Sequence, residues 1–337
     1  MADINSPTIA MVMRPGLFGP VVSDEAIARL KEFASVRTPQ PDRPLAEQAP
    51  ELLQDADGCV MCWGSPRLTA DLLEHAPGLK ILAYAAGSVR GVVSPELFDR
   101  GIIVTSAAAA IATEVAACAL GLILCGLKGI FPTGRVTRAG GWRGEASGDV
   151  TGRTVGIIGA GHVGRRVIAL LRGLPNDLKI LLADPYVSAE GAAGMGVERA
   201  SLEELLQRSD VVSIHVPSLP GTRHMLNASN LGLLKDGATL VNTARGSLID
   251  PEALAAELAR RPTLQALIDV TDPAEPPPAD HPYRTLPNVN LTPHLAGPVR
   301  GAQARMGDLA VEELRRCFVE RLAPLHPVTR EMMEFVA

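Results

Sequence analysis

Short apolar runs alternate with amphipathic segments along the whole chain, and that rhythm predicts a parallel α/β protein. In the first third, TIAMVM, DGCVMCW and LKILAYA read as strands, because their apolar residues follow one another without polar alternation. Between them, SDEAIARLKEF and LTADLLEHA carry the spacing of helices with one buried face, and Ser23 stands where an N-cap belongs. An alanine-rich helix over 108–129 follows, then a loop rich in Gly and Arg, FPTGRVTRAGGWRGEASGD. From Thr151 the alternation resumes. TVGIIG, KILLAD, DVVSIHV, ATLVNTA, LQALIDV and NVNLT read as six strands, with VGRRVIALLRG, SLEELLQRS, NASNLGLL and DPEALAAELAR as the helices between them. A last helix over 302–320 lies beyond that set and is expected to return to the first half. The proline-rich DPAEPPPADHP cannot continue a central strand, so it predicts an ordered loop after one.

One interval breaks the rhythm with a specific purpose. TVGIIGAGHVG places Gly159, Gly161 and Gly164 directly after a strand, and Asp184 ends the next strand, twenty residues past the last glycine. Strand, glycine turn, helix and acid at this spacing form the dinucleotide-binding βαβ fingerprint. Gly159 permits the tight turn, Gly161 lets backbone approach a pyrophosphate, and Gly164 lets helix and strand pack closely. The helix N-terminus offers free N–H groups and a positive dipole end to the phosphates. Asp184 would accept hydrogen bonds from the ribose hydroxyls and repel a 2′-phosphate, so NAD is expected rather than NADP.

Composition narrows the class. At 337 residues the chain has room for two domains with their own cores. A net charge of −5 carries no basic footprint for nucleic acid or an anionic membrane. The five cysteines are an odd number without framework spacing, which points to a reducing interior, and a cytoplasmic setting is then expected by default. Cys59 and Cys62 form a CxxC inside an apolar run with no second pair, so buried thiols are expected and no metal site. The run VAACALGLILCGL is thirteen residues, short of the roughly 20 that span a bilayer, so a helix buried between domains or subunits is the better reading.

In a doubly wound fold, ligands bind outside the carboxyl ends of the strands. The polar residues at those ends are Asp184, His215, Thr243, Arg245, Asp269 and His294, with Glu275 in the proline loop on the same side. Arginine, carboxylate and imidazole on one edge suit hydride transfer on a hydroxy acid. The arginine holds the substrate carboxylate, the imidazole exchanges the hydroxyl proton, and the carboxylate orients the imidazole and favours its charged form. Taken singly, Arg245 reads as a surface or capping arginine, His294 as a structural histidine and Asp269 as a turn cap. Their joint position beside a cofactor turn reverses that. His75, His224, His281 and His326 lack such company and read as structural, and His215 as packing near the cofactor.

In TGRTVGIIGAGHVGRRV, ADPY, HVPSLPGTRHML, LVNTARGSLIDPEAL, ALIDVTDP and LPNVNLTPHLAG, the chain resembles the D-isomer-specific 2-hydroxyacid dehydrogenases over essentially its whole length. The resemblance implies two doubly wound parallel-sheet domains, a Rossmann-type NAD domain over 108–297 inserted into a flavodoxin-like substrate domain over 1–107 plus 298–337. It implies NAD-dependent, D-stereospecific exchange between a 2-hydroxy and a 2-keto acid, in a homodimer built on the alanine-rich helix. By the same resemblance Arg245, Glu275 and His294 are catalytic, and Gly87, Ser88 and Val89 join Arg245 in binding the substrate carboxylate. Gly159, Gly161, His162, Val163, Gly164 and Asp184 would hold the adenosine and pyrophosphate, with Pro217 and Thr222 bordering them. Thr243 and Ala244 would line the nicotinamide ring, Asp269 would hold its carboxamide, and Gly297 would also bind the cofactor.

Some positions depart from the family's pattern. Its acid usually stands five residues after the LDV aspartate, which is Ala274 here; Glu275 comes one later but still directly precedes a proline. Either the loop carries an extra residue and Glu275 is the partner, or the partner is lost. Ile111, Glu114 and Ala117 replace a stretch that often reads with Asn, Pro and Glu, and Arg284 stands where many relatives have an aromatic, which would make the pocket rim more cationic. Two rival functions share the fold. One is a dinucleotide-sensing protein resembling transcriptional co-repressors; the other is a formate- or phosphite-type dehydrogenase, against which Glu275 argues.

Overall fold

The computed structural model describes residues 6–142, 148–175 and 177–334. They form two compact units, residues 1–111 with 298–337 and residues 112–297.

The first unit is built on a five-stranded, all-parallel sheet of β1 (Thr8–Val12), β2 (Ser35–Arg37), β3 (Gly58–Met61), β4 (Ile81–Tyr84) and β5 (Ile103–Ser106), in the order β2-β1-β3-β4-β5. That is the flavodoxin-like order. The central strands β3 and β4 are buried at every position, which is why their sequences are continuous apolar runs. A fully buried side chain such as Ile9, Met61 or Leu82 contributes about 1.5–3 kcal/mol relative to exposure. The helix Ala304–Arg315 belongs to this unit, burying Met306, Ala310, Val311 and Leu314 in its core. Cys59 and Cys62 are buried here, and burial pushes their thiols up to about 12 and about 11, out of reach of thiolate chemistry at neutral pH.

The second unit holds a seven-stranded, all-parallel sheet of β6 (Thr154–Ile158), β7 (Lys179–Ala183), β8 (Glu198–Arg199), β9 (Val211–Ile214), β10 (Thr239–Asn242), β11 (Gln265–Ile268) and β12 (Val289–Leu291). The order β12-β11-β10-β9-β6-β7-β8 reverses direction between β6 and β9, the switch point where such sheets open a crevice. The helix Ala108–Lys128 packs Ala116, Ala119, Ile123 and Leu127 into this unit's core.

Several sequence expectations need correction. β8 makes seven strands instead of six; its two residues are exposed and polar, so no apolar run marks it. β2 and β5, unassigned from sequence, are short edge strands that carry Arg37, Thr105 and Ser106. A helix, Leu45–Leu53, was hidden by Pro50 inside it. NASNLGLL forms only a 3-10 turn, Leu231–Leu233. Its asparagines take the backbone for themselves: Asn227 N–H donates to Asn230 Oδ1 and Asn230 Nδ2 to the Met225 carbonyl. The loop expected from Phe131 opens instead as the helix Ile130–Arg138, set off from the preceding helix by Gly129 at φ 61°. Pro132 is tolerated because it lies in the first turn. Residues 143–147 of that loop lie outside the described residues. The expected last helix is α-helical only over Ala304–Arg315, flanked by a 3-10 turn, Arg300–Gln303, and a π turn, Arg316–Glu320. Finally, Ala108–Lys128 runs 21 residues with a mean hydropathy of 2.1 over its most apolar window, of which 28% is buried. Among the described residues it is the one helix long and apolar enough to cross a membrane by length and composition, and the thirteen-residue run understated it.

Candidate active site

Parallel register aligns Ala183, Ile158, Ile214, Asn242, Ile268 and Leu291 as one row across the second sheet. The next residue of each strand is Asp184, Gly159, His215, Thr243, Asp269 and Thr292. Asp184, the glycine turn, His215, Thr243 and Asp269 therefore sit one step past a single line of paired backbone, at the edge where doubly wound sheets bind ligands, with Arg245 and His294 two residues further along their loops.

The glycine turn occupies the switch point. Gly159 has φ 91°, which an L side chain rarely adopts, and a Cβ there would lie 2.6 Å from Val216. A Cβ on Gly164 would lie 2.0 Å from the Gly159 carbonyl oxygen, so the helix His162–Arg172 can meet the turn only without a side chain. At Gly161 nothing lies within 4 Å of that position, leaving open the face where a pyrophosphate would approach. Gly161 is also the N-cap, so His162 and Val163 form the first turn of the helix. Asp184 braces the same turn, with Oδ2 accepting from Ala160 N–H at 2.7 Å and Oδ1 from Tyr186 N–H at 2.8 Å. His215 packs against Gly159 and Gly164, and burial pushes its imidazole down to about 4, so it stays neutral at physiological pH and fills a structural place. Its Nε2 lies 3.0 Å from Ser213 Oγ.

At the other end of the row, His294 Nδ1 lies 2.5 Å from Glu275 Oε2. Both side chains are partly solvent-exposed, at 48% and 38%. The Thr271 N–H donates to Glu275 Oε1 at 3.1 Å, while Thr271 Oγ1 closes the turn onto the Ala274 carbonyl. His294 itself sits at φ 51°, a left-handed conformation that costs about 1–3 kcal/mol for a non-glycine residue. Asp269 holds it there. Buried Asp269 accepts from Leu295 N–H and Ala296 N–H, each at 2.9 Å, and from Thr292 Oγ1, while its carbonyl accepts His294 N–H. Both carboxylate oxygens of the residue expected to meet the carboxamide are thus engaged in shaping the histidine loop.

Arg245 follows β10 by a turn that Asn242 builds: its Nδ2 donates to the Arg245 carbonyl and its Oδ1 accepts Ala244 N–H. The Arg245 guanidinium keeps solvent contact yet is crowded by protein atoms, which push it below its ordinary value, while the Glu275 charge pulls it back up. Next to it, a Cβ on Gly246 would lie 2.1 Å from the Thr271 carbonyl carbon, so the arginine turn rests directly on the turn that carries Glu275. Thr243 is buried, and its Oγ1 has no hydrogen-bond partner among the described residues. The Thr222 hydroxyl donates to the Pro217 carbonyl and accepts Leu219 N–H, shaping the loop after β9. Gly297 has open space beside it.

A cavity of about 500 Å³ lies within this unit, lined by Glu275, Arg284, Thr292 and His294 among others. In the first unit, Gly87, Ser88 and Val89 follow β4, and Ser106 Oγ ties the loop down by donating to the Gly87 carbonyl at 2.5 Å. Sequence reasoning did not single out Asn242, Thr271 or Thr292. Asn242 carried a signal, an Asx residue at a strand end before a turn; Thr292 acts through its hydroxyl on Asp269, and Thr271 through its N–H and hydroxyl on the Glu275 turn, contacts that no spacing marks.

A dinucleotide fits this edge. The open face above Gly161, the helix N-terminus and the unpartnered Thr243 hydroxyl offer, in order, room, positive potential and a polar contact. A family model described as D-isomer specific 2-hydroxyacid dehydrogenase, NAD binding domain, matches residues 120–296. The chain is 31% identical over 304 residues to a glyoxylate reductase of Thermofilum pendens, covering 87% of this chain and 88% of that protein. It is 34% identical over 280 residues to a D-3-phosphoglycerate dehydrogenase of Methanocaldococcus jannaschii, covering 82% of this chain but 52% of that protein, about half the relative's length. The solved structure of the TT0316 protein of Thermus thermophilus is similar at TM-score 0.74 and 31% identity, covering 96% of this chain and all of that one.

Proposed function

We propose that this chain, which belongs to the D-isomer-specific 2-hydroxyacid dehydrogenase family, uses NADH to reduce a small 2-keto acid to the D-2-hydroxy acid and NAD to run the reverse. The observation that carries the reading is the His294–Glu275 contact at the sheet edge that also bears the glycine turn. The Glu275 bond occupies Nδ1, so Nε2 is the imidazole atom left for substrate. Bound NADH supplies a hydride to the keto carbon. As the carbonyl oxygen gains charge, protonated His294 donates a proton to it from Nε2 and becomes neutral. Glu275 stabilises the imidazolium before the transfer and fixes the ring's direction. Arg245 holds the substrate carboxylate, which a planar guanidinium can do with two parallel bonds, and its charge stabilises the developing alkoxide. The N–H groups around Gly87, Ser88 and Val89 are proposed as further carboxylate donors.

The names of the relatives suggest glyoxylate and the phosphorylated three-carbon acids as first substrates to try. The test is NADH absorbance with glyoxylate, pyruvate, hydroxypyruvate, 3-phosphohydroxypyruvate and 2-ketoisocaproate, repeated with NADPH. We expect turnover of at least one, with NADH preferred by about 10²-fold, because the Asp184 carboxylate repels a 2′-phosphate. NADH binding without turnover of any keto acid would favour a dinucleotide-sensing protein instead.

A cytoplasmic homodimer completes the proposal. The apolar helix Ala108–Lys128 is followed by Ile130 at 52%, Val136 at 40% and Trp142 at 81% exposed, a surface that a second copy would cover. Sedimentation velocity should give twice the chain mass; a monomer at micromolar concentration would remove this part.

A further inference from the structure

From the bonds within the proline loop, we infer that Arg284 is a positioning residue for the reaction, holding Glu275 in reach of His294. This rests on the catalytic reading above and adds to it a residue that nothing else assigns. Pro276, Pro277 and Pro278 directly follow Glu275, and none has a backbone N–H to donate, so the run depends on donors from outside it: Thr271 Oγ1 reaches the Ala274 carbonyl and His281 N–H that of Pro278. Arg284 supplies further donors. Its Nε lies 2.9 Å from the Pro278 carbonyl oxygen and 3.2 Å from that of Pro277, and its Nη2 donates to Pro277 at 2.7 Å. At the near end, Thr271 N–H holds Glu275 Oε1. The carboxylate that meets His294 is thereby fixed between two anchors, one a backbone N–H and one a guanidinium fork. The fork is specific, because a lysine in its place would present a point charge without two planar donors. Without this clamp Glu275, already one residue later than the family's acid, would be held only from the Thr271 side, and the far side of the proline run could shift it relative to the imidazole. The charged groups around His294 are Glu275 itself, Asp269 below its loop, Arg245 close enough to act on Glu275, and Arg284 on the same cavity wall.

The experiment compares full-length wild type, Arg284→Leu, Arg284→Lys and Glu275→Gln. For keto-acid reduction, kcat/KM requires a charged imidazole and falls on the alkaline side. Loosening the carboxylate from the imidazole weakens its hold on the proton, so that limb moves to lower pH. We expect Arg284→Leu to lower kcat/KM about 10-fold and to move the alkaline limb to lower pH, with NADH affinity within about 2-fold of wild type. Arg284→Lys should lie between. Histidine NMR gives a second readout that needs no turnover: the His294 titration in Arg284→Leu should move toward that of Glu275→Gln. An unmoved limb and an unmoved His294 titration would overturn the inference, as would a loss equal in the Leu and Lys variants with no pH shift. If the wild type turns over no keto acid while the His294 titration still depends on Arg284, the functional reading fails and the positioning role stands.

Discussion

Replacing His294 by Ala is expected to lower kcat for keto-acid reduction by about 10²–10⁴-fold, the range that a positioned general acid contributes. NADH affinity should change little, because the imidazole is tied to Glu275 and its loop is held by Asp269 through backbone groups that alanine retains. Alanine also suffers in the left-handed conformation His294 adopts, at φ 51°, so a modest loss of thermal stability is expected beside the kinetic one. The kinetic loss is the diagnostic part. His294→Asn, which tolerates that conformation better, should lose as much activity while keeping stability, separating proton transfer from folding. Steady-state kinetics and NADH fluorescence titration on both variants check this, and an active Asn variant would contradict the acid/base role.

Gly164→Ala should have the second large effect, on cofactor binding. Its new Cβ would lie 2.0 Å from the Gly159 carbonyl oxygen and 3.0 Å from its carbonyl carbon. Those are backbone atoms of the tight turn, so the turn must move or the helix His162–Arg172 must lift away. Overpacking of this kind typically costs about 1–3 kcal/mol, and displacing the phosphate-binding turn by that amount should weaken NADH by about 10²-fold. Gly161→Ala makes the control. Nothing lies within 4 Å of its Cβ, so the fold should melt as wild type, yet the methyl group would stand on the face left open for the pyrophosphate. Calorimetry and NADH titration should therefore show both properties lost in Gly164→Ala and binding alone lost in Gly161→Ala. Unchanged NADH affinity in both would place the dinucleotide elsewhere.

What could be read from the chain and what could not divide along a physical line. Asp184, Thr243, Asp269 and the glycine turn each follow a strand whose apolar run is legible, so the row they form could be anticipated before any register was known. Glu275 was ambiguous because spacing alone could not tell an inserted residue from a lost partner; the contact with His294 decides where the carboxylate lies. Asp269 illustrates the opposite case. Its position was evident, but the three hydrogen bonds its carboxylate accepts from the 292–296 segment depend on how β11 and β12 pair, which is non-local. Arg284 looked like extra charge on a pocket rim, whereas the structure has it donating to two proline carbonyls, acceptors that exist only once the loop is folded. The missed strands β2, β5 and β8 share a cause: short edge segments with polar residues carry no periodic signal.

The fate of the hydride tests the proposed reaction most directly. Wild-type protein is supplied with a 2-keto acid from the panel and NADH carrying deuterium at its transferable position, and the product is resolved by chiral chromatography and mass spectrometry. A D-2-hydroxy acid with deuterium on its second carbon is expected, formed one for one with NADH oxidised. NADH that binds but transfers no deuterium to any keto acid, or a product of the L configuration, would contradict it.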